Sequence, residues 1–412
     1  MKNNKLTNNK KSIINDTLKC ILIISFCILI YILLKPFYKF QNVDETYSPD
    51  KLYWNNETSL NIDKISEEIK NYKNKNFLKI SFNNKTDFIK KNNPKISLII
   101  TLYNQEKYLK LVYISILKQD FKDIEIIFVD DASTDNSSNI IKELMENDKR
   151  IIYLKNHENK KTFYSRNKGI LQSKGEYILI VDPDDLLLNN ILIKAYETAK
   201  KYNLDIVHFY VMWGKFFYQR VWTIMKYTNG ILHNNSEVRN LFYYGKTRNL
   251  ADKLIKREVY IKSINFMRKD LYNEDYHIND DDTAFFGIVH FAKNYGFLEQ
   301  IGYFYYQKKN KRKDRKSMNI NYRSIFNILK YFYIQSDNNT FEKTMMPYAY
   351  FTKKIKKLYE KYLNDVTDGF DFILDVINLF SNSTYFNETQ KNIINNYKKK
   401  IIDRRNKVKG YT

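Results

Sequence analysis

Short, nearly continuous apolar runs alternate along the middle of the chain with segments whose apolar residues recur at helical spacing. Ile96 to Thr101, Ile124 to Val129, Ile151 to Leu154, Tyr177 to Val181 and Asp205 to Tyr210 are of the first kind. They suit strands buried on both faces. Between them, Leu109, Val112, Ile116 and Leu117 mark a helix, followed by helices over Ser137 to Met145, Phe163 to Leu171 and Asn189 to Lys201. Strands alternating with helices through short connections predict an α/β domain whose mainly parallel sheet carries helices on both faces. The aromatic stretch Phe209 to Trp222 suggests a hairpin around Gly214-Lys215, and residues 236 to 304 have mixed periodicity. From about Asn319 the pattern turns helical, with Ile325, Ile328 and Leu329, then Phe372, Val376 and Phe380.

The amino terminus has a different texture. Cys20 to Leu34 carries no charge, and Leu18, Lys19, Pro36, Phe37 and Tyr38 extend it. At about 1.5 Å per residue the uncharged core spans about 22 Å, short of a hydrocarbon core of about 30 Å without those flanks. Lys2, Lys5, Lys10, Lys11 and Lys19 lie on its amino-terminal side, so the positive-inside bias puts that end in the cytosol. A cleaved signal peptide is the rival reading, but no Ala-x-Ala site follows the run. The expected organisation is a basic cytosolic tail (1–17), a transmembrane anchor (18–38), a polar stem (39–93) with a short helix around Ile62 to Tyr72, a catalytic domain (94–316) and a helical carboxyl-terminal extension (317–412). That topology is single-pass, type II, facing the Golgi or ER lumen if the source is eukaryotic.

Composition narrows the classes. Of 412 residues, 43% are hydrophobic and 28% charged, too apolar for a disordered chain. The two cysteines, Cys20 and Cys27, both lie in the anchor, which excludes a disulfide scaffold. The net charge of +23 raises the question of nucleic acid. Its concentrations are local, however: the tail lysines, Lys308 to Lys316 and Lys398 to Lys409. No nucleic-acid reader motif accompanies them, so no nucleic-acid partner is expected. The last run suits a solvated face or an anionic lipid surface.

In open α/β sheets ligands bind beyond the carboxyl ends of the strands. Those ends read Thr101-Leu102-Tyr103-Asn104, Asp130-Asp131-Ala132-Ser133-Thr134-Asp135 and Asp182-Pro183-Asp184-Asp185. Crowded carboxylates repel and are costly to bury. A divalent cation relieves both problems, and Mg²⁺ or Mn²⁺ prefers such oxygen ligands. Helix capping explains any one of these turns, with Asp135 a candidate N-cap, but not all of them on one rim.

These same segments carry a resemblance. Pro94 to Asn104, Ser115-Ile116-Leu117-Lys118-Gln119, Val129 to Asp135, Arg166-Asn167-Lys168-Gly169 and Gly175 to Asp185 resemble, in order, the elements of family 2 glycosyltransferases of the GT-A fold. The match is strong from Pro94 to about Leu188. The resemblance implies a Rossmann-like GT-A domain that moves a sugar from a nucleotide diphosphate donor, UDP-linked, to a hydroxyl on a glycan, protein or lipid, with inversion. It implies that Thr101, Tyr103, Asn104, Asp130 and Asp131 hold the nucleotide, Asp131 accepting a uracil imide N–H. Arg166 would approach the base or diphosphate. Asp182, Asp184 and Asp185 would line the diphosphate and a Mn²⁺ or Mg²⁺ ion, Asp184 coordinating first. The family's acidic pair before an apolar helix aligns with Asp281 and Asp282, making Asp282 the first choice of base. The adjoining Asp280 leaves a shift by one residue open.

Two rivals remain. A nucleotidyltransferase would want a Gly-rich triphosphate loop after the first strand, where this chain has Tyr103-Asn104-Gln105-Glu106. A degenerate, sugar- or partner-binding relative would be expected to have lost acidic positions that are all present here.

Overall fold

The computed structural model describes residues 89–306 apart from 91, 189, 216–217, 223–233, 236, 240–248 and 267–279, together with 374, 377–378, 381–382 and 387–409. The expected tail, anchor and stem lie outside the described residues, as do the basic run from Lys308 to Lys316 and most of the carboxyl-terminal extension. Among the described residues no helix is long and apolar enough to cross a membrane.

The apolar runs form strands. β1 (Ile96–Leu102), β2 (Ile124–Asp130), β3 (Ile151–Lys155) and β4 (Tyr177–Ile180) pair in parallel in the order β3-β2-β1-β4. β1, β2 and β4 are buried throughout, as strands covered on both faces must be. The sheet continues through β8 (Lys253–Lys256), β6 (Ile206–Lys215), β9 (Tyr295–Tyr306) and the two-residue β5 (Leu186–Leu187), while β7 (Tyr218–Trp222) pairs with β6. β8 runs antiparallel to both neighbours, β4 and β6, whereas β6 and β9 are parallel. The sheet is therefore mixed, and the expectation of mainly parallel pairing holds from β1 to β4 but not at β8. The β6–β7 hairpin turns just after Lys215, slightly beyond the predicted position.

Alternation along the strands sorts the two faces. Leu98, Ile100 and Leu102 of β1, Leu179 of β4, Val207 of β6 and Leu254 of β8 belong to one core with α1 (Leu109–Leu117), α2 (Ser137–Asn147) and α4 (Ile191–Lys201). The residues between them along each strand face the other side, where α3 (Lys161–Gln172), α5 (Arg257–Phe266) and α6 (Asp280–Phe291) pack. Gly169 of α3 shows how closely: a Cβ there would stand 2.9 Å from Cγ2 of both Ile99 and Val129. A last helix, α7 (Glu388–Lys409), buries Ile394 and Ile401, two turns apart on one face.

Candidate active site

The loops after β1 and β2 are tied together. Asn104 takes a left-handed backbone (φ 53°). Its N–H donates to Ser133 Oγ (3.0 Å) and its Oδ1 accepts from the Thr134 N–H (2.9 Å). This leaves Thr101 nearly buried and the Tyr103 ring 45% exposed beside it, free to stack on a planar group.

Asp130 and Asp131, both expected at the nucleotide, serve the loops first. Asp130 is fully buried and accepts from the Ser133 N–H, the Ser138 hydroxyl and the Tyr153 hydroxyl, each at 2.7 Å. Burial raises its pKa, but these bonds outweigh it and hold the carboxyl below its usual range. Its carboxylate is held inside the turn. Asp131 Oδ1 accepts from Asn156 Nδ2 (2.8 Å) and the Lys160 N–H (2.7 Å), and Oδ2 accepts from the Lys161 N–H (2.8 Å). Asp131 thus holds the start of α3, with one lone pair on Oδ2 left for a donor.

Arg166 stands on α3, and the tight Gly169 contact brings that helix onto β1 and β2. Its guanidinium, 5% exposed, donates to Asp281 Oδ1 at 2.8 Å and lies 3.1 Å from Asp280 Oδ2. Burial works against the charge, but Asp280 and Asp281 overcome it and hold Arg166 firmly protonated. Asp281 is pushed up to about 7, by desolvation first and by Asp280 and Asp182, against the pull of Arg166. A third of the Asp281 side chain still meets solvent. Asp282 differs: consecutive helix residues point about 100° apart, and Asp282 is only 8% exposed. Of the expected acidic pair, Asp281 is the member at the rim.

The acidic triplet leaves the end of β4. The Asp182 N–H donates to the Tyr303 hydroxyl (2.9 Å), and Asp185 Oδ1 accepts from the Tyr306 N–H (2.8 Å). Burial, then the Asp182 and Asp184 charges, push the Asp185 carboxyl well above its usual range, and its Oδ2 makes no hydrogen bond of ordinary geometry. Among the described residues no group of side chains encloses a metal ion by itself. Three carboxylates crowded at one strand end nevertheless fit a cation that is also held by a ligand's phosphates.

Sequence reasoning missed Tyr303 and Tyr305. Two residues apart, they share one face of β9, Tyr303 buried and Tyr305 49% exposed. The Tyr305 hydroxyl feels Asp185, Asp182 and Asp184, which raise its pKa after burial does. The signal was the period-two aromatic run, whose strand partner β5 is too short to foresee. Tyr306 packs its ring 5.9 Å from Tyr108, tying β9 to the loop after β1.

The arrangement matches known proteins. Residues 97–274 match the family described as Glycosyl transferase family 2. A glycosyltransferase of Streptococcus pneumoniae, GlyG, is 40% identical over 112 residues, 27% of this chain and 37% of that protein. A GalNAc(5)-diNAcBac-PP-undecaprenol beta-1,3-glucosyltransferase of Campylobacter jejuni is 36% identical over 109 residues, 26% of this chain and 35% of that protein. The chain thus spans little more than a third of these relatives. The crystal structure of S. aureus TarS 1-349 in complex with UDP-GlcNAc superposes with a TM-score of 0.58 at 17% identity, covering 76% of this chain and 90% of that one. The mixed α/β sheet is consistent with the GT-A fold these likenesses share, and the sheet runs on through Tyr306, past the family match. Residues 97–274 are accordingly a family 2 glycosyltransferase domain.

Proposed function

We propose that this chain transfers a sugar from a UDP-linked donor to a hydroxyl acceptor, inverting the anomeric carbon. One observation carries the reading: the Arg166–Asp281 pair lies within electrostatic reach of Asp182, the first acid of the triplet that leaves β4. The bound UDP-GlcNAc in the TarS complex supports a UDP-sugar donor.

Tyr103 stacks on the base, and the free lone pair of Asp131 accepts its imide N–H. Arg166 and the rim donors face the diphosphate. Asp182, Asp184 and Asp185 would hold a Mn²⁺ or Mg²⁺ ion there, which supplies positive charge to the departing diphosphate. Asp281 takes the proton of the acceptor hydroxyl. The oxygen then forms its bond to the anomeric carbon as the bond to the diphosphate breaks, and UDP leaves with the electron pair. A base near pKa 7 suits that step at neutral pH. Asp282, buried on the next helical position, shapes the start of α6.

The acceptor hydroxyl belongs to a glycan, protein or lipid. A lipid-linked acceptor accords with a type II anchor over 18–38, which would keep the domain at a membrane. The C. jejuni relative, named for an undecaprenol-linked glycan, points the same way. UDP release from a panel of UDP-sugars, with and without Mn²⁺, tests the reading. Metal-dependent release with one sugar supports it. Binding without release would favour a degenerate, sugar-binding domain.

A further inference from the structure

A second charged cluster lies behind the rim and takes no part in the chemistry above. Lys253, the first residue of β8, is fully buried. So are His208, directly opposite it on β6, and Asp252 beside it. Lys253 Nζ reaches Asp252 Oδ1 at 2.5 Å and the Asn249 carbonyl oxygen at 2.6 Å. His208 Nε2 stands 3.3 Å from Asp252 Oδ2, and its Nδ1 is 2.5 Å from the Tyr295 hydroxyl. Taking such charges out of water is costly, and an apolar trio of equal volume would fill the space at less cost. The cluster's position suggests what the charge is for.

Leu254 and Val207 point into the core on one side of the sheet, so Lys253 and His208 point to the other, toward α5 and α6. Lys253 Nζ lies 5.0 Å from the centre of the Phe285 ring. Phe285 follows Asp281 by four residues on α6 and therefore shares its face. β8 also begins beside the end of β4, where the acidic triplet emerges, because Leu254 pairs with Leu179. Lys253 thus stands one helical turn behind Asp281; burial lowers its pKa, and Asp252 first and then Asp281 favour its charged form.

We propose that Lys253 is a positioning residue for Asp281: clamped by Asp252 and Asn249 and pressed on Phe285, it sets the seat of the α6 amino terminus and supplies lasting positive charge. The inference rests on the reading of Asp281 as the base. Among the described residues Arg166 is the other cation at Asp281, but in the proposed reaction it also faces the donor diphosphate, so a bound donor divides its charge. Lys253 is buried away from solvent, and a bound donor leaves its pairing with Asp252 unchanged. The other groups that face Asp281 are Asp280 on its own helix and Asp182 from the β4 end, both of which raise its pKa. Tyr260 of α5 acts on Arg166.

The test is the pH profile of kcat for Lys253→Met and Lys253→Arg in the full chain, with donor KM measured alongside. Loss of a nearby positive charge makes a carboxylate harder to ionise. The acid limb of Lys253→Met should therefore move up by about half a pH unit or more. Its deficit should be largest near pH 6.5 and shrink toward pH 9, with donor KM within about twofold of wild type. Lys253→Arg should restore the limb in part. An unshifted limb, or a deficit equal at every pH, overturns the proposal. Should Lys253→Met misfold because Asp252 is left unpaired, Asp252→Asn/Lys253→Met removes the pair together, and the limb should then move in the same direction by less, because Lys253 rather than Asp252 lies against Phe285 of α6. If that variant also fails to fold, the cluster is a folding element and the proposal is overturned. Asp281→Asn separates the two levels. Full turnover in Asp281→Asn refutes the base, whereas an inactive Asp281→Asn with a wild-type Lys253→Met profile refutes only the role of Lys253.

Discussion

Arg166 Nη1 on α3 meets Asp281 Oδ1 on α6 at 2.8 Å, joining residues 115 positions apart at the rim of the sheet. The pair brings a lasting cation to a carboxylate that its surroundings push up to about 7. Asp281→Asn should lower kcat by about a hundredfold or more, while Asp282→Asn should cost less than about tenfold. Steady-state UDP release for both variants decides which acid takes the proton. The reverse order would return the base to Asp282.

A base must be ionised to act, so wild-type kcat should rise with pH through about 7 and then level off. Arg166→Gln removes the partner that lowers the Asp281 pKa, so its acid limb should move to higher pH. A pH–rate profile of the two proteins, each saturated with donor, shows it.

The acidic triplet should trade stability for function. Asp185 binds its proton more tightly folded than unfolded, because burial and its neighbours raise its pKa. Its contribution is therefore favourable below the unfolded value and is lost as pH climbs through the raised one. Asp185→Asn should then raise Tm by a few degrees at pH 7.5 in metal-free buffer, a gain of about 1 kcal/mol. It should also reduce turnover and weaken the stabilisation that Mn²⁺ gives the wild type. Thermal unfolding with and without Mn²⁺ measures both effects.

Gly169 lets α3 approach the sheet. Gly169→Ala would place a methyl 2.9 Å from Ile99 and Val129. It should cost about 1–3 kcal/mol by denaturant unfolding and displace Arg166 from the rim. Unchanged stability and activity would mean that the helix has room the geometry denies it.

Much of this was legible in the sequence where local pattern decides structure. β1, β2 and β4 are apolar runs buried on both faces, and the acids that follow them stand at strand ends. Where long-range packing decides, the pattern was silent. β8 reads Lys-Leu-Ile-Lys, too short and too charged to foresee, yet Lys253 is buried against Asp252. Asp130 and Asp131 read in sequence only as ligand-facing carboxylates, and the loop-holding part of their work was not visible there. Their donors, Tyr153 and the Lys160 and Lys161 N–H groups, come from later elements that only folding brings near. The same holds for the base: sequence aligned Asp281 and Asp282 as a pair, and the rotation of α6 against Arg166 separates them.

The most direct test of sugar transfer is UDP release by the purified full chain from a panel of UDP-sugars with Mn²⁺ at pH 8, repeated with Asp184→Ala and Asp281→Asn. The account predicts release with one preferred sugar, dependent on the metal, and nearly abolished in both variants. Full release by either variant, or no release from any nucleotide sugar by a protein that binds UDP, would contradict it.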